Sequence, residues 1–305
     1  MINFRYHIVS LMAVFLALAV GITLGVTLVS GEANKGLAAQ AEQDRRQVQL
    51  YRDQLSRQQK LDDYRDAYAT AVGKQVTAGM LSGTPVAVIA MPNAPRATVR
   101  DIQQAVTDAG GTVASTTTIN AEVFDTERNA DVLDAVAPFS RFYQPDDSTQ
   151  TKVGSVLGRA LLGRNDEVAD KTATDIGDAL NGKVIKLDRS SEQTARLAIV
   201  VTAPTSDPPV GAQTLDRHLQ LELAVAERAG GTVLAGPNST GTEGTDVATA
   251  RADADARTEL SSVDVADLPS GVSTVVMAGR EQLNGDQGHY GAANADAPAP
   301  ELPLR

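Results

Sequence analysis

The side chains able to do chemistry are few and dispersed. The chain has three histidines, five methionines and no cysteine, so disulfides and thiolate metal sites are excluded. Copper, or another soft metal, needs imidazole or thioether groups close together. His7, His218 and His289 are far apart, Met12, Met80, Met91 and Met277 are equally scattered, and neither an M-x-x-M nor an H-x-H pair exists. Met91 and Met277 read as residues of adjacent strands, where core packing of a polarizable side chain accounts for both. For nucleophilic catalysis the sequence offers Ser206-Asp207 and, further on, His218. Without a nucleophile elbow these make no triad by pattern, and His218 reads as a partly buried polar residue flanking Leu215, Leu219 and Leu223. Asp253 and Asp255 resemble the start of a calcium loop, but the required Gly and distal Glu are missing, so a solvated helix face is the simpler reading.

Cofactor chemistry is equally unmarked. A dinucleotide or phosphate cradle needs a glycine-rich turn after a strand. The loops Met91-Pro-Asn-Ala-Pro95 and Ala203-Pro-Thr-Ser-Asp-Pro-Pro209 are rich in proline instead, which removes backbone donors, and no Walker loop is present. The formal net charge of −11 would repel a phosphate backbone, which excludes nucleic acid as a natural partner. The expectation is a non-enzyme with no catalytic, cofactor or metal residues. An enzyme would have to use the crevice at the carboxyl ends of a sheet, with polar side chains converging there.

The elements that would position such a crevice are legible. Pro85–Met91, a helix over Ala97–Ala109, and Gly110-Gly-Thr-Val113 form one strand–helix–strand unit. Arg196–Thr202, a helix over Gln213–Ala229, and Gly230-Gly-Thr-Val-Leu234 form a second. Ala109-Gly-Gly-Thr-Val113 and Ala229-Gly-Gly-Thr-Val233 are identical, and in each the double glycine reads as a helix stop in the left-handed region. Ser273–Ala278 reads as a further strand of the same sheet. Between the two units, Ala130–Phe139, Lys152–Leu162 and Asp166–Leu180 read as short helices, with Phe139, Phe142 and Tyr143 as contacts of this insert. The Gly-, Ala- and Pro-rich end reads as a disordered tail over 286–305.

Ahead of this domain lie two helical segments. Ile8–Val29 is an uninterrupted apolar run long enough to cross a hydrocarbon core, longer than the core of a cleaved signal and lacking its small-residue site. A seven-residue tail before a single anchor places 1–7 in the cytoplasm and the bulk of the chain outside, although Lys35, Arg45 and Arg46 weigh the other way. Ala13, Ala17, Gly21 and Gly25 share one helix face, which suits close helix pairing in lipid. From Ala38 to Lys74 there is no proline, and Val48, Tyr51 and Leu55, then Leu61, Tyr64 and Tyr68, follow heptad-like spacing with a slip between the two sets. The expected fold class is α/β: a single transmembrane helix (8–29), a coiled-coil stalk (32–80), and an extracytoplasmic domain (84–285) whose mainly parallel sheet is built from two βαβ half-units with a helical insert. The expected dimer interface is Ala17, Gly21, Gly25, Val48, Tyr51, Leu55, Leu61, Tyr64 and Tyr68.

The opening Asn3-Phe-Arg-Tyr-His-Ile-Val-Ser-Leu-Met12, continuing to Ala19-Val-Gly-Ile-Thr-Leu-Gly25, resembles the start of the actinobacterial copper transporter family typified by MctB. Ser261-Ser-Val-Asp-Val-Ala-Asp267 and Gln287-Gly-His-Tyr-Gly291 resemble that family's C-terminal pattern. The resemblance implies copper export or copper tolerance in the cell envelope, with copper as the metal handled. A corynebacterial branch, SteB, implies a membrane-anchored homodimer that partners a SteA-type membrane or division protein. No ligand set is carried over to positions of this sequence. The residues favour a non-enzymatic, membrane-anchored scaffold; the resemblance implies that it serves envelope assembly or division, with copper export as the alternative that the family implies.

Overall fold

The computed structural model describes residues 4–163, 168–239 and 241–302; the side chains of residue 4 and of 27–38 lie outside the described set. The chain divides into two compact units, residues 1–64 and 65–305. Helix α1, Phe4–Thr77, begins in the first and ends in the second. Alanine, leucine and long polar side chains sustain it, and no proline interrupts it.

In the first unit, Arg5–Val26 is long and apolar enough to cross a membrane, with a mean hydropathy of 2.5 and none of it buried. The apolar run expected over Ile8–Val29 is thus helical, and it is exposed from Ile8 to Val26; the side chains of 27–29 are among those not described. Ala17, Gly21 and Gly25 are exposed, and a Cβ on either glycine would meet nothing within 4 Å. Val48, Tyr51, Leu55, Leu61 and Tyr64 are also exposed, as is Tyr68 in the second unit. In the second unit the end of α1 is fixed to the domain: Gly73 and Thr77 are buried, and Lys74 Nζ lies 3.2 Å from the Asp108 carboxylate.

The second unit is an α/β domain. Its strands are β1 (Pro85–Ala90), β2 (Thr112–Ile119), β3 (Ile185–Arg189), β4 (Leu197–Val201), β5 (Gly231–Ala235), β6 (Ser261–Val263) and β7 (His289–Tyr290). They form one sheet in the order β3-β2-β1-β4-β5-β6-β7. All neighbours are parallel except the edge pair β2–β3. Every residue of β1, β4 and β5 is buried, as expected of parallel strands covered on both faces. One face carries α3 (Asn129–Val136), α4 (Thr149–Leu161), α5 (Lys171–Leu180) and α6 (Ala212–Ala226), through Val136, Leu157, Ile176 and Leu221 among others. The other carries α2 (Arg96–Asp108) and α9 (Pro269–Leu283), through Ile102, Val106, Val275 and Val276. Short helices α7 (Asp246–Ala252) and α8 (Ala256–Glu259) lie between β5 and β6. Phe139, Phe142 and Tyr143 pack partly buried against the insert's core. The start of the expected Asp166–Leu180 helix lies outside the described residues.

Four expectations are corrected. Ser273–Ala278 is not a strand but the middle of α9. The run Val275-Val-Met-Ala fits either period, and Pro269 at the helix start, with Gly271, Thr274, Val275, Ala278 and Gln282 buried at helical spacing, decides for the helix. Met277 is therefore not a strand neighbour of Met91.

The two identical double glycines differ. Gly110 has φ +83° and ends α2 in the left-handed region. Gly230 and Gly231 have no positive φ among the described backbone; they are glycine because Cβ atoms would press on Arg196 and Gln282.

Asp253 does not lie on a helix face. It joins α7 to α8, where its Oδ1 accepts from the N–H groups of Asp255 and Ala256.

The segment 286–302 is folded, not a disordered tail. Here β7 pairs with β6 and Arg251 holds the chain: Nε donates to Ser262 Oγ, Nη1 to Asp264 Oδ2 and to the Ala293 carbonyl, Nη2 to the Tyr290 carbonyl. Asp264 in turn accepts from the N–H groups of Ala292 and Ala293. Low hydrophobicity hides this order, because hydrogen bonds to a buried ion pair replace apolar burial.

Candidate functional site

The chain moves from β1 outward to β2 and β3, then returns beside β1 to build β4 to β7. The strand order therefore reverses between β1 and β4, and in such sheets the ligand crevice opens at the carboxyl ends of those two strands. A crevice of about 300 Å³ lies there. Its walls are the loops after β1 (Pro92, Asn93), β2 (Ala121, Phe124) and β4 (Ala203 to Ser206), the first half of α6, and Gly244 to Asp246 at the start of α7.

Helix periodicity puts Thr214, His218 and Glu222 on one face of α6. His218 is 7% exposed, and its Nδ1 lies 2.7 Å from Asp246 Oδ1. Thr245 caps α7, its Oγ1 accepting from the Ala248 N–H, which fixes the position of Asp246. The Phe124 ring meets the imidazole edge-on, centroids 4.1 Å apart. Phe124 is tied in turn through its carbonyl, which accepts from Arg217 Nη1 at 2.8 Å. A carboxylate on Nδ1 draws the proton to that nitrogen, so in the neutral ring Nε2 carries the lone pair. Nε2 has no hydrogen-bond partner among the described residues.

One turn further along α6, Glu222 is fully buried, and neither of its oxygens has a hydrogen-bond partner. Burial pushes its carboxyl well above the usual range, and the negative charge of Asp246 adds to that, so the fold favours its protonated form. Thr202 Oγ1, just past β4, is also buried without a hydrogen-bond partner. It lies on the sheet face that carries α6, because Ala198 and Val200 do.

The sequence reading placed His218 beside an apolar stripe and missed its carboxylate. That partner is Asp246, not Asp207, and no local motif links two residues on different helices. Ser206 does line the crevice, but its hydroxyl donates to the Pro208 carbonyl at 2.8 Å. His289 belongs elsewhere, in the β6–β7 pairing, with Nδ1 2.9 Å from Ser262 Oγ. Among the described residues no three His, Asp or Glu groups converge to hold a metal ion. The nine residues expected at a dimer interface all lie on α1, and the crevice uses none of them.

A family model described as "Copper transport outer membrane protein, MctB" matches residues 1–300. The chain belongs to the MctB family. Copper transporter MctB of Mycobacterium tuberculosis is 29% identical over 309 residues, covering 96% of this chain and 97% of its own. Copper transporter MctB of Mycobacterium leprae is 30% identical over 316 residues, with the same coverage. The MctB match takes in the apolar start of α1, the whole sheet and the β7 segment. Both C-terminal stretches that resembled the family fall on β6, β7 and their flanks, where Asp264 and Gly291 meet.

Proposed function

We propose that this chain is a membrane-anchored envelope protein that takes part in copper transport of the MctB type. The observation that carries this reading is the family match along residues 1–300, which leaves no large part of the chain outside the shared architecture. The apolar helix anchors the chain, and the bulk of it lies outside the cytoplasm. One spanning helix cannot enclose a pore, and the described residues gather no metal-ligand cluster. Copper is thus a cargo that the chain helps an assembly to move. The test is a deletion strain grown in rising copper, with cell-associated copper measured. Deletion should raise cellular copper severalfold, and the full chain should restore it where a version lacking residues 1–29 does not. Unchanged copper content on deletion would refute the assignment.

A second reading, a non-enzymatic homodimeric scaffold in envelope assembly or division with a SteA-type partner, is favoured by one observation. Val48, Tyr51 and Leu55 leave an apolar stripe exposed on α1, and a second copy of α1 would bury it. The chain has no cysteine, so a single Val48→Cys reports unambiguously. Disulfide-linked dimers should form in native membranes; monomers alone would count against pairing.

A further inference from the structure

We infer that the crevice between the ends of β1 and β4 binds a small uncharged, hydroxyl-bearing ligand of monosaccharide type, with His218 Nε2 accepting a hydrogen bond from one of its hydroxyls. This goes beyond the copper reading and does not depend on it.

Four observations fix the ligand's chemistry. His218 is more than nine-tenths buried, yet it lines the crevice with one ring nitrogen held by Asp246 and the other without a partner. Holding Nδ1–H on a carboxylate sets the tautomer and leaves an acceptor toward the cavity, so the ligand must bring a donor. No lysine or arginine is among the lining residues, and Asp246 is; an anion would be repelled, with nothing to compensate its lost hydration. The lining mixes apolar Phe124, Val210 and Leu215 with the hydroxyl residues Ser206 and Thr214, a combination that suits the apolar and hydroxyl-bearing surfaces of a sugar. The volume of about 300 Å³ is at the small end of ligand pockets, which favours a single ring over a chain.

The chain has only three histidines, so the imidazole Cε1–H region of 1H–13C spectra of the full-length protein in detergent contains three signals, and His218→Gln assigns the one that matters. The probes are the methyl glycosides of glucose, mannose and galactose, with glucuronate as the charged control and Cu(II) as the metal control. At least one neutral glycoside should shift the His218 signal saturably while leaving His289 unmoved, and glucuronate should not. Asp246→Asn should weaken that binding about tenfold, the scale of one lost orienting hydrogen bond. Once the signal is assigned, the comparison of His218 with His289 is made inside the wild-type protein. No movement of His218 with any glycoside up to about 50 mM, well past the weakest useful affinity, would overturn the inference. So would an equal response to glucuronate, or selective loss of the His218 signal at one equivalent of Cu(II), which would assign the crevice to the metal.

Discussion

Glu222 is an uncommon residue in this fold: a fully buried carboxyl on a helix face with no hydrogen bond to either oxygen. Burial, and then the charge of Asp246, raise its pKa. The folded state therefore holds this proton more tightly than the unfolded chain does. The stability that follows is fully present below the ordinary value of 4.5 and is lost as pH climbs toward the folded-state value. Glu222→Gln keeps the shape and removes the titration. The variant should match wild type near pH 4 and exceed it in thermal stability near pH 8, and parallel melting curves across that range would refute the assignment. His289 runs the other way. Burial lowers its pKa, with the charges of Arg257 and Arg251 reinforcing this against a hydrogen bond to the Arg257 carbonyl and the charge of Asp296. Its contribution is present above the ordinary 6.5 and is lost as pH falls through the lowered folded value. His289→Gln should therefore flatten the acid side of the stability profile and leave the alkaline side unchanged. The sequence supplied both residue types and none of this, because burial and a partner on another helix are not local properties.

At the scale of elements, β1, α2, β4, α6 and β5 were legible because each carries a long enough apolar run or period, and α2 also carries a glycine stop at Gly110. Strands β6 and β7 have three and two residues, too short for any pattern, and they exist because the Arg251–Asp264 pair gathers them. Gly291 is the narrowest point of that arrangement. Its φ is +136°, and a Cβ there would collide with the Asp264 carboxylate. Gly291→Ala should displace the segment and leave Arg251 and Asp264 buried with fewer partners, costing about 3 kcal/mol. Amide exchange should report it locally: the N–H groups of Ala292 and Ala293, which donate to Asp264, should lose protection before those of β4. Retained protection at both would mean that the chain closes without the clasp. The Gly110 and Gly230 pair shows the limit of local reading from the other side. The same five residues end one helix by a positive φ and permit close packing at the other, so identical sequence does not guarantee identical backbone.

For the whole molecule, the division into residues 1–64 and 65–305 separates two kinds of stability. The sheet is held by side chains buried within its own unit, of which each Leu or Ile contributes about 1.5–3 kcal/mol. The apolar stripe of α1 is exposed in the single chain, and under the proposed pairing a second copy of α1 would cover it. Val48→Asp together with Leu55→Asp should therefore abolish cross-linked dimers, tested with a cysteine placed at Tyr51, because charges at seam positions cost more than a paired coil can offset. The same double variant should leave the thermal transition of the sheet within about 1 °C, since surface substitutions away from a core change little. Loss of the sheet transition would show that the two units are coupled after all. If the dimer also serves copper handling, the variant should fail to restore cellular copper in the deletion strain while the Glu222→Gln protein succeeds. Full restoration by a strictly monomeric chain would separate the paired helix from the transport role and leave pairing to the scaffold reading alone.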